Sequence, residues 1–248
     1  ARADPHGSRE RALRRASQRF WAAPPRALRR ELEQFREESR SWLGDFCLFS
    51  ALKQATRGAH WTAWEPALRR RERAALARAE HSLRDEMRHH ELVQLLFHRQ
   101  WNALRAHCKK RGVALLGDVP MFVSHDSADV WAHQQLFFLD RTGRPSVVAG
   151  VPPDAFSATG QLWGNPLYRW DRLAEEGFRW WIDRFRATLA RFDAVRLDHF
   201  IGFRRYWEVP ARAKTARRGR FVQVPGGALI EGTRRAPGPT PRCTSRCT

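Results

Sequence analysis

Lysine, tyrosine, methionine and cysteine are all scarce in this 248-residue chain, and acids are outnumbered by bases. Four cysteines, Cys47, Cys108, Cys243 and Cys247, do not make the disulfide framework that small secreted domains depend on, and a chain of this length does not need one. No histidine or second cysteine pair accompanies Cys243 and Cys247, so a zinc site is not expected there. No run approaches the roughly 18 consecutive apolar residues of a membrane helix. The arginine-rich start has no signal-peptide core, so the expected setting is the cytoplasm, with no membrane partner.

The shortage of acids is large: 26 Asp and Glu face 45 Lys and Arg, a net charge of +19. Lysine contributes only Lys53, Lys109, Lys110 and Lys214, so nearly all of the excess is arginine. Such a charge raises nucleic-acid binding as a reading. Its distribution argues against a specific nucleic-acid partner. From Ala211 onward nine cations meet the single acid Glu231, whereas elsewhere arginines alternate with acids and apolar residues, as on solvated helix faces.

What the chain does have is aromatic and apolar bulk, 11 Trp and 15 Phe within a hydrophobic content of 42%. That composition excludes a disordered chain and suits one or two globular domains. Tryptophan faces also suit sugar rings, although core packing accounts for most tryptophans equally well.

Residues 1–110 read as a helical region. Pro24-Pro25 breaks it early, and a helix follows through Leu28, Leu32 and Phe35. Residues 67–88 are charge-rich and weakly patterned, and His89-His90-Glu91 opens a stronger helix from Leu92 to Cys108. Adjacent residues on a helix face different ways, so His89, His90 and Glu91 read as structural and not as metal ligands. Arg111-Gly112 ends that helix, and an apolar strand runs from Val113 into Gly117-Asp118. From Val123 to Trp170 the chain is rich in Gly, Pro, Asp and aromatics without periodicity, too long for a passive loop and better read as a functional subdomain. Its rigid turns, polar edges and flat rings are the mixture a sugar site needs. Leu173 to Leu189 then reads as one amphipathic helix with Phe178, Trp181, Ile182, Phe185 and Leu189 inward.

That helix leads into Asp193-Ala194-Val195-Arg196-Leu197-Asp198-His199-Phe200. Strand side chains alternate, so Arg196 and Asp198 share a face, with Asp198 at the strand's C-terminal mouth. Asp118 holds the same place on the earlier strand. The strand–loop–helix–strand order is the unit that a (β/α)8 barrel repeats, and such barrels keep catalytic groups at strand C-termini. An aspartate beside an arginine is expected to be ionised, ready either for a plain ion pair or for attack on a sugar carbon.

The segments Leu116 to Pro120, Asp126 to Trp131, Val148 to Asp154, Gly160 to Tyr168, Val195 to Phe200 and Tyr206 to Pro210 are specific enough to name a resemblance. In order and spacing, over roughly residues 30–230, they resemble 4-α-glucanotransferase, the amylomaltase or disproportionating-enzyme family related to the α-amylases. The resemblance implies an α/β fold, here a partial (β/α)8 TIM barrel with a helical insertion and a long active-site loop subdomain. It divides the chain into the helical residues 1–110, barrel strands over 111–230 with the loop subdomain 123–170, and a disordered or aberrant tail at 231–248. It implies transfer of 1,4-α-glucan segments between maltodextrins with retention, which takes two carboxyl groups about 5 Å apart. Asp198 matches the nucleophile, Arg196 the arginine that orients it, His199 a sugar-binding neighbour, Asp118 a residue lining the same subsite, and Trp163 part of a loop over the cleft. No metal or organic cofactor is implied.

Two departures accompany the resemblance. Ala155 stands where the family usually has a tyrosine, and the family's acid/base motif, Ala-Glu-Asp-Leu-Gly, does not occur in the chain. Glu208 and Glu231 are the only glutamates after Asp198, and neither lies in such a motif. Family members are about twice this length. The expectation is an incomplete chain, inactive alone, whose residues past about 230 come from a shifted frame or a broken gene. An α-amylase-like hydrolase and a glucan-binding remnant without turnover are the alternatives.

Overall fold

A computed structural model describes residues 5–235; the cysteine pair Cys243 and Cys247 and most of the 231–248 tail lie outside the described residues. The chain forms two compact units that divide between Leu104 and Arg105, six residues before the boundary at 110.

The first unit is helical. α1 (Pro5–Ala22) ends before the two prolines and α2 (Arg26–Glu38) begins after them, because a residue ahead of proline is pushed out of the helical region. α3 (Leu43–Ala55) follows, with Cys47, Leu48, Ala51 and Leu52 buried. Burial pushes the Cys47 thiol up to about 12, so it is inert at neutral pH. The charge-rich stretch 67–88 is more regular than its pattern suggests. It holds α4 (Pro66–Arg69), with proline at its first position, α5 (Arg73–Ser82), and the start of α6 (Arg84–Lys110). α6 therefore opens a turn before His89, with Asp85 and Glu86 in its first turn favouring the positive end of the helix. Phe20, Leu32, Phe35, Leu43, Cys47, Leu92 and Leu95 close one core. Arg36 grips Glu91 beside it with two hydrogen bonds, 2.5 and 2.7 Å. His89 is buried, and among the described residues no group of three or more His, Cys, Asp or Glu is placed to hold a metal.

The second unit holds two sheets. β1 (Leu116–Val119) and β4 (Ala194–Leu197) pair in parallel, Asp118 beside Arg196. Between them run α7 (Ala128–Ala132), β2 (Val147–Val151), β3 (Gln161–Pro166), α8 (Trp170–Glu175) and α9 (Arg179–Leu189). The single helix expected over 173–189 is two. Gly177 and Phe178 both take left-handed φ values, 61° and 57°, and turn the chain between them. The strain at Phe178 is offset by burying its ring. The unpatterned 123–170 stretch is also more regular than expected. β2 is an inner strand of an antiparallel sheet ordered β3-β2-β5-β6, completed by β5 (Arg205–Pro210) and β6 (Arg220–Gln223) from beyond β4. α10 (Gly226–Arg235) closes the described chain and extends helically into the stretch expected to be irregular from 231. Trp131, Trp181, Tyr168 and Tyr206 are fully or almost fully buried in this unit, so most of its aromatic wealth is core.

Candidate glucan site

The site is set by how β1 and β4 begin. Asp193 accepts the Leu115 amide on Oδ2 at 2.9 Å and returns its own N–H to the Leu115 carbonyl at 2.9 Å. Arg105, near the end of α6, donates to Asp193 Oδ1 and to the carbonyls of Ala190 and Phe192, fixing the α9–β4 turn. On the buried face, Gly117 lies against the Phe192 ring so closely that a Cβ there would meet it at 2.5 Å. Only glycine fits. These contacts hold the register that puts Asp118 and Arg196 side by side on the open face.

Arg196 then makes a two-point grip on Asp118, Nε to Oδ1 at 3.0 Å and Nη2 to Oδ2 at 2.7 Å. The same Nη2 lies 3.9 Å from Asp198 Oδ1. The sequence pattern singles out Arg196–Asp198 as the pair on one face. The structure makes Asp118 the main partner and leaves Asp198 at the edge of the guanidinium, because Asp118 is directly opposite in the parallel register while Asp198 lies just past the end of β4. The hydrogen-bonded guanidinium holds the Asp118 carboxyl below its usual range. The Asp198 amide donates to the Val119 carbonyl at 3.0 Å, tying the aspartate's position to the neighbouring strand.

His199 follows in a left-handed conformation, φ 52°, a costly choice for a residue with a side chain. Gly202 makes room for it, since a Cβ there would meet the imidazole at 2.8 Å. The turn swings the ring against Trp163, edge to face at 4.9 Å. Phe122, just beyond β1, completes the group at 6.2 Å from Trp163 and 6.1 Å from His199. Desolvation lowers the His199 pKa from its ordinary 6.5, outweighing the opposing pull of Asp198. β3, which carries Trp163, is anchored to the segment after β1. Asn165 donates to the Val123 carbonyl at 2.9 Å, and the Tyr168 hydroxyl donates to that of Met121 at 2.9 Å.

All five residues singled out from the sequence thus fall in one region: Asp118, Arg196 and Asp198 as an ionic row at the ends of two parallel strands, Trp163 and His199 as an aromatic corner beside it. Phe122 was not singled out, although its place four residues after Asp118 was a signal. Nor was Phe156, which is 99% exposed on the turn capped by Asp154, next to the departing Ala155. Glu208 is not available to the row. It is buried in the antiparallel sheet and ion-paired to Arg220 at 2.7 Å.

A family model described as 4-alpha-glucanotransferase matches residues 5–239. The chain belongs to that family. It is 50% identical to a 4-alpha-glucanotransferase of Thermus thermophilus over 220 residues, 89% of this chain and 44% of the relative. It is 48% identical to one from Aquifex aeolicus over 200 residues, 81% of this chain and 41% of that one. Among solved structures, an amylomaltase from Streptococcus agalactiae in complex with acarbose superposes with a TM-score of 0.88 at 36% identity, over 97% of this chain and 48% of the other. An amylomaltase from Corynebacterium glutamicum, 22% identical with a TM-score of 0.71, shares the fold. The chain therefore spans less than half the length of the relatives it matches, and the family match continues past the change of character expected near residue 230.

Proposed function

We propose that this chain serves the transfer of 1,4-α-glucan segments between maltodextrins, and that its 248 residues carry the glucan-binding and nucleophile half of that reaction. The observation that carries the reading is the meeting of Asp118, Arg196 and Asp198 at the C-terminal ends of β1 and β4, with Trp163 and His199 alongside. The paired strands are read as two members of a partial (β/α)8 barrel. In the first step the Asp198 carboxylate attacks the anomeric carbon and the bond to the leaving 4-oxygen breaks, that oxygen taking its proton from an acid/base carboxyl that these residues do not supply and that the acceptor hydroxyl later reprotonates. A 4-hydroxyl of an acceptor chain then displaces Asp198 and restores the configuration. Arg196, held by Asp118, orients Asp198, and the Asp198 carboxylate itself faces the positive charge that develops on the reacting sugar. Trp163 offers a ring face, and the neutral His199 a hydrogen bond uncomplicated by charge. No metal or cofactor enters the scheme.

The acid/base motif does not occur in these residues, so turnover by the 248-residue chain is expected at roughly 10²- to 10⁴-fold below that of a site possessing it. Maltotriose is the discriminating substrate. Transfer yields glucose together with longer dextrins, and hydrolysis yields only shorter sugars. Fast production of longer dextrins would contradict the assignment of only half a site. A second reading, glucan binding without turnover, is favoured by the exposure of the row: more than half of each of the Asp118, Arg196 and Asp198 side chains faces solvent, where water competes with an acceptor.

A further inference from the structure

The turn joining β5 to β6, residues 211–219, with Arg220 opening β6 after it, reads Ala-Arg-Ala-Lys-Thr-Ala-Arg-Arg-Gly-Arg. Its alternation is a built surface and not a floppy charged loop. Ala216 is fully buried and packs with Val148 and Val209, while Ala211 and Ala213 lie against the same cluster. Trp207 Nε1 donates to the Ala216 carbonyl at 2.8 Å, and the Ala216 amide donates to Thr159 at 3.0 Å. Gly219 passes beneath the Trp207 ring where a Cβ would clash at 2.6 Å. With the alanines inward, Arg212, Lys214, Arg217, Arg218 and Arg220 all face solvent.

Two of these cations are occupied: Arg220 by Glu208 at 2.7 Å, and Arg217 by the Ala158 carbonyl at 2.9 Å. Arg212, Lys214 and Arg218 have no ion-pair or hydrogen-bond partner among the described residues, and residues 209–230 contain no acid. The nearby Asp154 is spent on its own turn, accepting from the amides of Phe156 and Ser157. Through Ala158 and Thr159 the turn is bonded directly to the Asp154–Gly160 loop, which displays Phe156 and runs straight into β3 and Trp163.

We infer that this turn is an anion-binding extension of the glucan site, and that it takes phosphate monoesters carried on α-glucan chains. The inference rests on the glucan reading of Trp163 and His199. Three free cations on one rigid turn match one or two phosphate groups, each carrying nearly two charges at about pH 7 and several strong acceptors. A nucleic acid would call for a longer cationic track spaced along many phosphates.

The test is calorimetric titration of the full 248-residue chain with a neutral maltodextrin and with the same dextrin bearing a phosphate monoester. The expected result is a roughly tenfold preference for the phosphorylated dextrin at low salt, fading at high salt. The triple variant R212A/K214A/R218A should lose that preference while binding the neutral dextrin as before, which also shows that it folds. Equal affinities for the two dextrins, or a preference that survives in the triple variant, would overturn the inference. So would full competition by inorganic phosphate at matched concentration, or stronger binding of an oligonucleotide of equal charge. Neutral dextrin that fails to bind, or binds unchanged in Trp163→Ala, counts against the glucan reading instead, and the two failures are thereby told apart.

Discussion

The ligand roles proposed for Trp163 and His199 rest on where each side chain sits. Trp163 is 39% exposed while Trp131 and Trp181 are sealed in the core, so its ring face is available to a sugar. Trp163→Ala should lower maltodextrin affinity by roughly tenfold, about 1.4 kcal/mol, with little change in thermal stability, since the ring is not core. His199 gives a prediction of sign. Its pKa is lowered from 6.5, so it stays neutral through pH 7, and both its share of stability and the hydrogen bond proposed to the glucan persist above that value. Both are lost as the pH falls through the lowered pKa, because protonation is easier in the unfolded chain. Glucan affinity measured from pH 8 downward should therefore hold level past 6.5 and drop only below it, and His199→Gln should flatten that acid limb. Asp118, lowered by its hydrogen bonds to Arg196, keeps its contribution above its ordinary 3.8 and loses it only in stronger acid. At this scale the sequence was legible because motif residues sit next to recognisable neighbours. The Asp118–Arg196 grip was not, because it depends on a register between strands 78 residues apart.

At the scale of elements, β1 and β4 were readable as short apolar runs, and α2 from its spacing of Leu28, Leu32 and Phe35. The antiparallel sheet was not. Its strands are recruited from both sides of β4, and nothing local in Val147–Val151 says that its partner is Arg205–Pro210. The break between α8 and α9 was hidden for another reason: Phe178 in a left-handed conformation is held by burial, which local propensity does not see. The seating of β1 against the α9–β4 turn offers a clean test. Gly117→Ala puts a methyl group into the Phe192 ring, and should destabilise the second unit by about 1–3 kcal/mol in denaturant unfolding. Glucan affinity should fall with it, since the same displacement spoils the Asp118–Arg196 alignment. An unchanged midpoint would mean that Phe192 does not seat this strand.

For the whole molecule, the two described cysteines report on packing without touching the site. Cys47 is buried in the helical core with its thiol pushed up to about 12, whereas Cys108 is half-buried near the end of α6. Brief treatment of the native chain with a thiol reagent, followed by peptide mapping, should label Cys108 and spare Cys47; equal labelling would contradict the packed helical core. None of the described helices is long and apolar enough to cross a membrane.

The claim on which the functional account turns is that Asp198 is placed as a glycosyl nucleophile. It is tested most directly by incubating the chain with an α-maltosyl fluoride slowed by a second fluorine at C5. Fluoride leaves from the anomeric carbon without a proton, so no acid/base group is required, and an ester forms between that carbon and the attacking carboxylate. The account predicts one maltosyl adduct by mass spectrometry, mapped to Asp198 and absent in Asp198→Asn. An adduct on Asp118, or none at all on a chain that binds maltodextrin through Trp163, would contradict it.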